Sequence, residues 1–185
     1  MRRRETERGI ALVVVVMAML ILMAGGAGLA LATAAETHIA AAFRVGQQAL
    51  YAAEAAAEWA LADLMAAVPD WATLFAGDVV SPFVDGPPSG TRTLPDGSVL
   101  DLSAVVAGSP AWRPYAFGTL AALAPPSARA SPFYILVFVA PDGTAPERLK
   151  LRTEAFGPRG AHRALELTVL RGATGARFEA WREAR

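Results

Sequence analysis

The sequence contains no cysteine. Disulfides and thiolate metal sites are therefore excluded, and any folded part must hold together by its own apolar core, even in an oxidising compartment. Asparagine is missing as well, and a single lysine stands against sixteen arginines, a skew read here as codon-composition bias. There are only two histidines, His38 in a helical stretch and His162 in an expected turn. Without cysteine, a metal site built from them would need carboxylates converging from elsewhere, and none is expected. No Gly-x-Ser-x-Gly elbow or phosphate-binding loop occurs, and Gly26-Ala27-Gly28 follows no strand, so it opens no dinucleotide site. Basic and acidic residues number 17 each, and residues 69–185 carry no basic excess of the kind that marks a nucleic-acid partner. Neither catalysis nor a cofactor is expected.

Two further absences organise the chain. No charged side chain occurs among the 26 residues from Ile10 to Ala35. As a helix at about 1.5 Å per residue this run is roughly 39 Å long, more than the roughly 30 Å of a bilayer's hydrocarbon core, so it spans with some tilt. Four arginines (Arg2, Arg3, Arg4, Arg8) against Glu5 and Glu7 precede it, and the first charge after it is Glu36. Basic flanks stay on the cytoplasmic side. The N-terminus is expected inside and residues 36–185 outside, across the inner membrane if the source is a bacterium.

The second absence is proline, which does not occur before Pro69. Alanine, the best helix former, dominates the stretch after the span, and Ile39, Phe43, Leu50, Leu61, Leu64, Met65 and Val68 recur with Ala53 and Ala57 at helical spacing. Pro69 disfavours a helical Val68 and ends the element. One helix is thus expected from Ile10 to Val68, transmembrane over 10–35 and amphipathic over 36–68. Gly25, Gly26 and Gly28 interrupt the apolar run, each costing about 1 kcal/mol relative to alanine. They allow close helix packing or reflect the ordinary frequency of glycine in membrane helices.

Two processing signals compete at the N-terminus. A polar basic leader over residues 1–9, cut between Gly9 and Ile10, would leave the apolar run as a new N-terminus. Ala32-Thr33-Ala34 has the small-residue spacing read by a secretory signal peptidase, which would remove the whole span. The apolar region is long for that second signal, since a secretory one is usually about 7 to 15 residues.

Residues 69–185 read as one β-rich head. Pro95-Asp96-Gly97 and Pro141-Asp142-Gly143 are turns, proline setting the first corner and glycine the positive φ. Asp85 to Gly90 and Ala124 to Pro132 read as loops, while Trp71, Leu74 and Phe75 extend a helical turn or pack beneath the head. Extended segments are expected at Val99 to Val106, more weakly at Trp112 to Leu120, and at Phe133 to Ala140, dense enough in β-formers for a central strand. Leu149, Leu151 and Thr153 alternate with Lys150, Arg152 and Glu154, and Leu165, Leu167 and Val169 with Glu166, Thr168 and Leu170. That pattern marks strands with one wet face. A last strand around Arg177 to Trp181 completes an expected four-stranded antiparallel meander covered by the outer half of the helix. The fold class is α+β: a long transmembrane and amphipathic helix packed on a small antiparallel sheet, shaped like a lollipop.

Several polar residues invite a functional reading. Asp96 and Asp101 flank a turn and could hold a cation loosely, although turn aspartates more often bond their own backbone. Glu36 marks the exit from lipid and is a candidate intersubunit contact. Glu54 and Glu58, one helical turn apart, read as a solvated face or as a pair meeting a neighbouring subunit.

Glu7-Arg8-Gly9 followed by Ile10-Ala11-Leu12-Val13-Val14 resembles the class III signal of type IV prepilins and pseudopilins. Gln47-Gln48-Ala49-Leu50-Tyr51-Ala52-Ala53-Glu54-Ala55-Ala56 resembles the corresponding segment of PilX-type minor pilins, and the ending Phe178-Glu179-Ala180-Trp181-Arg182-Glu183 resembles their C-termini weakly. The resemblance implies that a prepilin peptidase cuts after Gly9 and methylates the amino group of Ile10, and that the helix, which loosens near its glycines in that family, packs with other minor and major pilins. It departs at Val14, where most major pilins carry a glutamate that pairs with a neighbour's N-terminal amine. Minor pilins of this type and K-type pseudopilins commonly lack it; the latter carry a large extra helical domain for which this head has little room. The implied role is a structural subunit of a type IV pilus or related filament, or of its tip complex, with DNA uptake or adhesion left open. The alternatives are a secreted or periplasmic binding protein cleaved after Ala34 and an uncleaved single-pass anchor of some other envelope complex.

Overall fold

The computed structural model describes residues 3–68, 70–76, 79, 81–123, 131–172 and 175–184, with side chains from Ile10 onward. The loop expected at Ala124 to Pro132 lies largely outside the described residues. The chain divides into two compact units, Met1–Arg44 and Val45–Arg185.

The first unit is helix. Helix α1 runs from Arg3 to Ala67, and every side chain from Ile10 to Ala40 is exposed. Among the described residues this is the one helix long and apolar enough to cross a membrane. With no proline before Pro69 the backbone ladder is uninterrupted, and the last amide to join it is that of Val68, which donates to the Leu64 carbonyl at 3.0 Å. Ile39 and Phe43 do not begin the buried stripe as their spacing suggests. They are 70% and 69% exposed, and burial starts only at Ala49.

The second unit contains the sheets, arranged as an α+β fold. A five-stranded antiparallel sheet runs in the order β3 (Arg113–Thr119), β4 (Tyr134–Pro141), β5 (Arg148–Gly157), β6 (Ala161–Gly172) and β7 (Gly175–Ala184). The meander thus has five strands where four are expected, because the weaker segment before Leu120 pairs with β4 from Arg113↔Val139 to Thr119↔Tyr134. A separate hairpin joins β1 (Thr91–Thr93) to β2 (Val99–Asp101) through the Pro95-Asp96-Gly97 turn, where Gly97 has φ +83°. The extended segment expected over Val99 to Val106 is cut short at Asp101. That carboxylate accepts from the Ala104 amide and caps helix α3 (Leu102–Ala107), which overrides the β preference of Val105 and Val106.

Strand β4 is buried on both faces, and its alternate residues feed two cores. On one face Phe133, Ile135, Val137 and Val139 join Leu149, Leu151, Leu165, Leu167 and Val169 against α1 and the short helix α2 (Trp71–Ala76). On the other, Tyr134, Leu136 and Phe138 join Phe117, Leu94 and Leu102 beneath the hairpin and α3. From Ala49 to Ala60 the buried residues of the helix are all alanine, Ala49, Ala52, Ala53, Ala56, Ala57 and Ala60, with Leu64 buried a turn beyond. Such small side chains let the helix backbone lie close to the sheet.

Candidate functional site

In the first unit, Ile10 is 65% exposed and Val14 is 59% exposed. The Gly9–Ile10 bond lies inside continuous helix, and the side chains of the leader fall outside the described residues. Toward the end of the apolar run, the hydroxyls of Thr33 and Thr37 donate back to the carbonyls of Leu29 and Thr33 at 3.0 and 2.8 Å. This satisfies them without any outside partner. Glu36 beside them is exposed and makes no hydrogen bond or ion pair among the described residues.

In the second unit, the two turn aspartates are engaged with their own chain. Asp96 accepts from the Ser98 amide and hydroxyl at 3.1 and 2.6 Å and from the Arg159 amide at 3.1 Å. The Ser98 bonds lead in holding its carboxyl below the usual range. Asp101 is the α3 cap. Both carboxylates thus make the local backbone bonds that turn aspartates commonly make. Among the described residues no group of three or more potential ligands converges on a metal position.

Two tyrosine and aspartate pairs fasten the layers. Asp63, near the end of α1, accepts from Tyr115 of β3 at 2.6 Å and from buried Ser81 at 2.9 Å. On the opposite face, Asp85 accepts from Tyr134 of β4 and from Arg92 Nε, both at 3.0 Å. Burial, followed by the adjacent carboxylates, pushes both phenols well above their ordinary value. Arg92 also donates to the carbonyls of Pro87 and Ser89 at 2.9 and 3.1 Å and so gathers the Asp85 to Gly90 loop. Trp71 donates its indole N–H to the Glu147 carbonyl at 2.8 Å, with the Arg171 guanidinium 4.7 Å over its ring.

The face of β5 and β6 expected to be wet is partly closed. Glu154 is 2% exposed, with Arg152 Nη2 at 2.7 Å and His162 Nε2 at 2.9 Å. His162 sits in β6, not in a turn, and its ring stacks on Phe156 at 4.5 Å between centroids. The cluster combines an ion pair within β5, Arg152 with Glu154, and a cross-strand hydrogen-bond contact from Glu154 to His162 of β6.

The remaining predicted residues meet at the sheet edge. Glu54, half-buried, and Glu58, exposed, line a groove of about 200 Å³ with Ala57, Leu165, Leu167, Phe178 and Trp181. Neither carboxylate has a hydrogen-bond or ion-pair partner among the described residues. Strand β7 is the outer strand here, and a bulge opposite Thr168 and Val169 turns both Phe178 and Trp181 toward this side. Trp181 is 65% exposed. The sequence marks a last strand around Arg177 to Trp181 without bringing this pair together, because the bulge breaks strand alternation; the signal available in sequence is the spacing of two aromatics three apart on an otherwise polar strand. In comparisons with protein-family models, curated proteins and solved structures, nothing matches the chain.

Proposed function

We propose that the chain is a minor-pilin or pseudopilin-like structural subunit, held in the bacterial inner membrane by α1 with its N-terminus cytoplasmic and its head periplasmic. After cleavage between Gly9 and Ile10 and methylation of Ile10, it enters a type IV filament or the tip complex that initiates one. Its work is assembly, not catalysis. The observation that carries this reading is the division of one uninterrupted helix. The Ile10 to Ala35 half is uncharged and exposed, while from Ala49 onward one side of the helix is buried through alanines against a β-meander. An apolar helix with no cover of its own is stable only in lipid or against other apolar helices. Val14 in place of glutamate fits a specialised position and not a repeating one.

The test is mass spectrometry of the N-terminal peptide from the native membrane. The expected species is an N-methylated chain beginning at Ile10. A start at Ala35 replaces this reading with an exported soluble protein, and an intact leader replaces it with a plain membrane anchor. Electron microscopy of cells lacking the protein supplies the second readout, expected to show fewer filaments or altered composition; unchanged filaments refute the assembly role.

A further inference from the structure

The groove between α1 and β7 is an incomplete layer. At about 4.8 Å per strand a five-stranded sheet is roughly 19 Å wide, and a helix about 10 Å across covers only half of it. Helix α1 occupies the middle, where Thr153 of β5 reaches the Ala53 carbonyl. Phe83 lies against Gly118 at the β3 edge. Toward the β7 edge Leu165 and Leu167 are buried in the core, whereas Phe178 is half-buried and Trp181 is 65% exposed, with only the flank of α1 beside them. An apolar sheet face is stable when another element covers it.

The charges beside the strip say what kind of element fits. Glu54 and Glu58 sit one turn apart on the flank of α1, with Tyr51, 63% exposed, a turn before them. Glu183, the remaining acid on this face of β7, is already paired with Arg163 at 3.0 Å. Trp181 lines the same groove as the two glutamates, and an indole ring attracts a cation as they do. The geometry points to a docking groove for an amphipathic helix of a partner protein. That helix carries two lysines or arginines spaced i, i+4 to meet Glu54 and Glu58, and an adjoining apolar stripe to cover Phe178 and Trp181. The assignment holds whether or not the chain enters a filament.

The test places a photo-crosslinking benzoylphenylalanine at Trp181 of the full-length chain in its native membrane, with Val99, 66% exposed on β2, as the control position. The expected product joins Trp181 to a helical segment of a different protein bearing two basic residues four apart. A label at Tyr51 gives the same product and guards against a folding defect at Trp181. E54Q/E58Q lowers the yield roughly fivefold, the value of two partly exposed ion pairs. E54R/E58R abolishes it, and changing the partner's two basic residues to glutamate restores it. Cross-links to a second copy of this chain, to lipid, or to a segment without paired basic residues overturn the inference, as do equal yields from Val99 or an unchanged yield in E54Q/E58Q.

Discussion

Thr153 of β5 donates its hydroxyl to the main-chain oxygen of Ala53, 3.0 Å away in the later half of α1 and 100 residues earlier in the chain. A sheet side chain reaches a helix carbonyl in this way only where the helix backbone comes close, and the alanine row from Ala49 to Ala60 permits it. The contact and the row test separately. Thr153→Val keeps the shape and loses about 1 kcal/mol, because the Ala53 carbonyl keeps its helical partner. Ala53→Leu forces the layers apart and costs more, about 1–3 kcal/mol. Denaturant midpoints of the purified chain in detergent, followed by tryptophan emission, should rank the two in that order; an equal or reversed ranking contradicts the close-approach account.

The tyrosine and aspartate pairs set an alkaline limit. Tyr115 and Tyr134 have phenols raised above their ordinary value, first by burial and then by Asp63 and Asp85. A group whose value is raised on folding contributes stability that is complete below its unfolded value. That stability is lost as pH rises beyond it, so the chain should weaken above about pH 10. Denaturation midpoints measured across this range should fall for the native sequence. Tyr115→Phe and Tyr134→Phe are each expected to begin lower at neutral pH and to show a shallower alkaline decline. A decline as steep in both variants as in the native chain would show that other groups set it.

Much of this architecture is legible in the sequence, and the failures have physical causes. Helix α1 is announced by 26 uncharged residues, by alanine and by the absence of proline. Strands β5 and β6 show through alternation because one of their faces packs on the helix. Strand β3 gives a weak signal, since Tyr115, Ala116 and Phe117 are buried consecutively and a proline and a glycine flank them. Helix α3 is hidden because a single cap at Asp101 outweighs two β-branched residues. Glu54 and Glu58 were identifiable as a pair on one face. What they face was not, because Trp181 and Phe178 reach the groove through long-range pairing and a bulge. The buried carboxylate of Glu154 is likewise a product of cross-strand packing that a local alternation cannot express.

Gly157, at the end of β5, shows how tightly that packing is set. Its φ of −146° is ordinary extended backbone, so any cost of a side chain there is steric. A Cβ at this position would overlap Cε1 and Cδ1 of the Phe133 ring. Gly157→Ala should therefore cost about 1–3 kcal/mol by overpacking. Adding Phe133→Leu should recover part of that loss, giving a coupling of more than about 0.5 kcal/mol in a double-mutant cycle. Strict additivity in denaturant melts would place the strain elsewhere.

Gly25, Gly26 and Gly28 offer a different kind of test, because added methyl groups there meet nothing within 4 Å in the isolated chain. Three glycines in four positions cost about 3 kcal/mol of helix stability relative to alanine, and among the described residues nothing packs against them to offset that loss. On the proposed function the offset comes from neighbouring helices, which approach closely or use a locally loosened backbone at this depth. Replacing all three with alanine should leave insertion into the inner membrane intact and raise the helicity of the span, while incorporation into filaments falls. Insertion is read by protease accessibility of the head in spheroplasts, and incorporation by immunoblot of sheared filaments against the membrane fraction. Normal incorporation of the triple variant would reduce the glycines to the ordinary composition of a membrane helix.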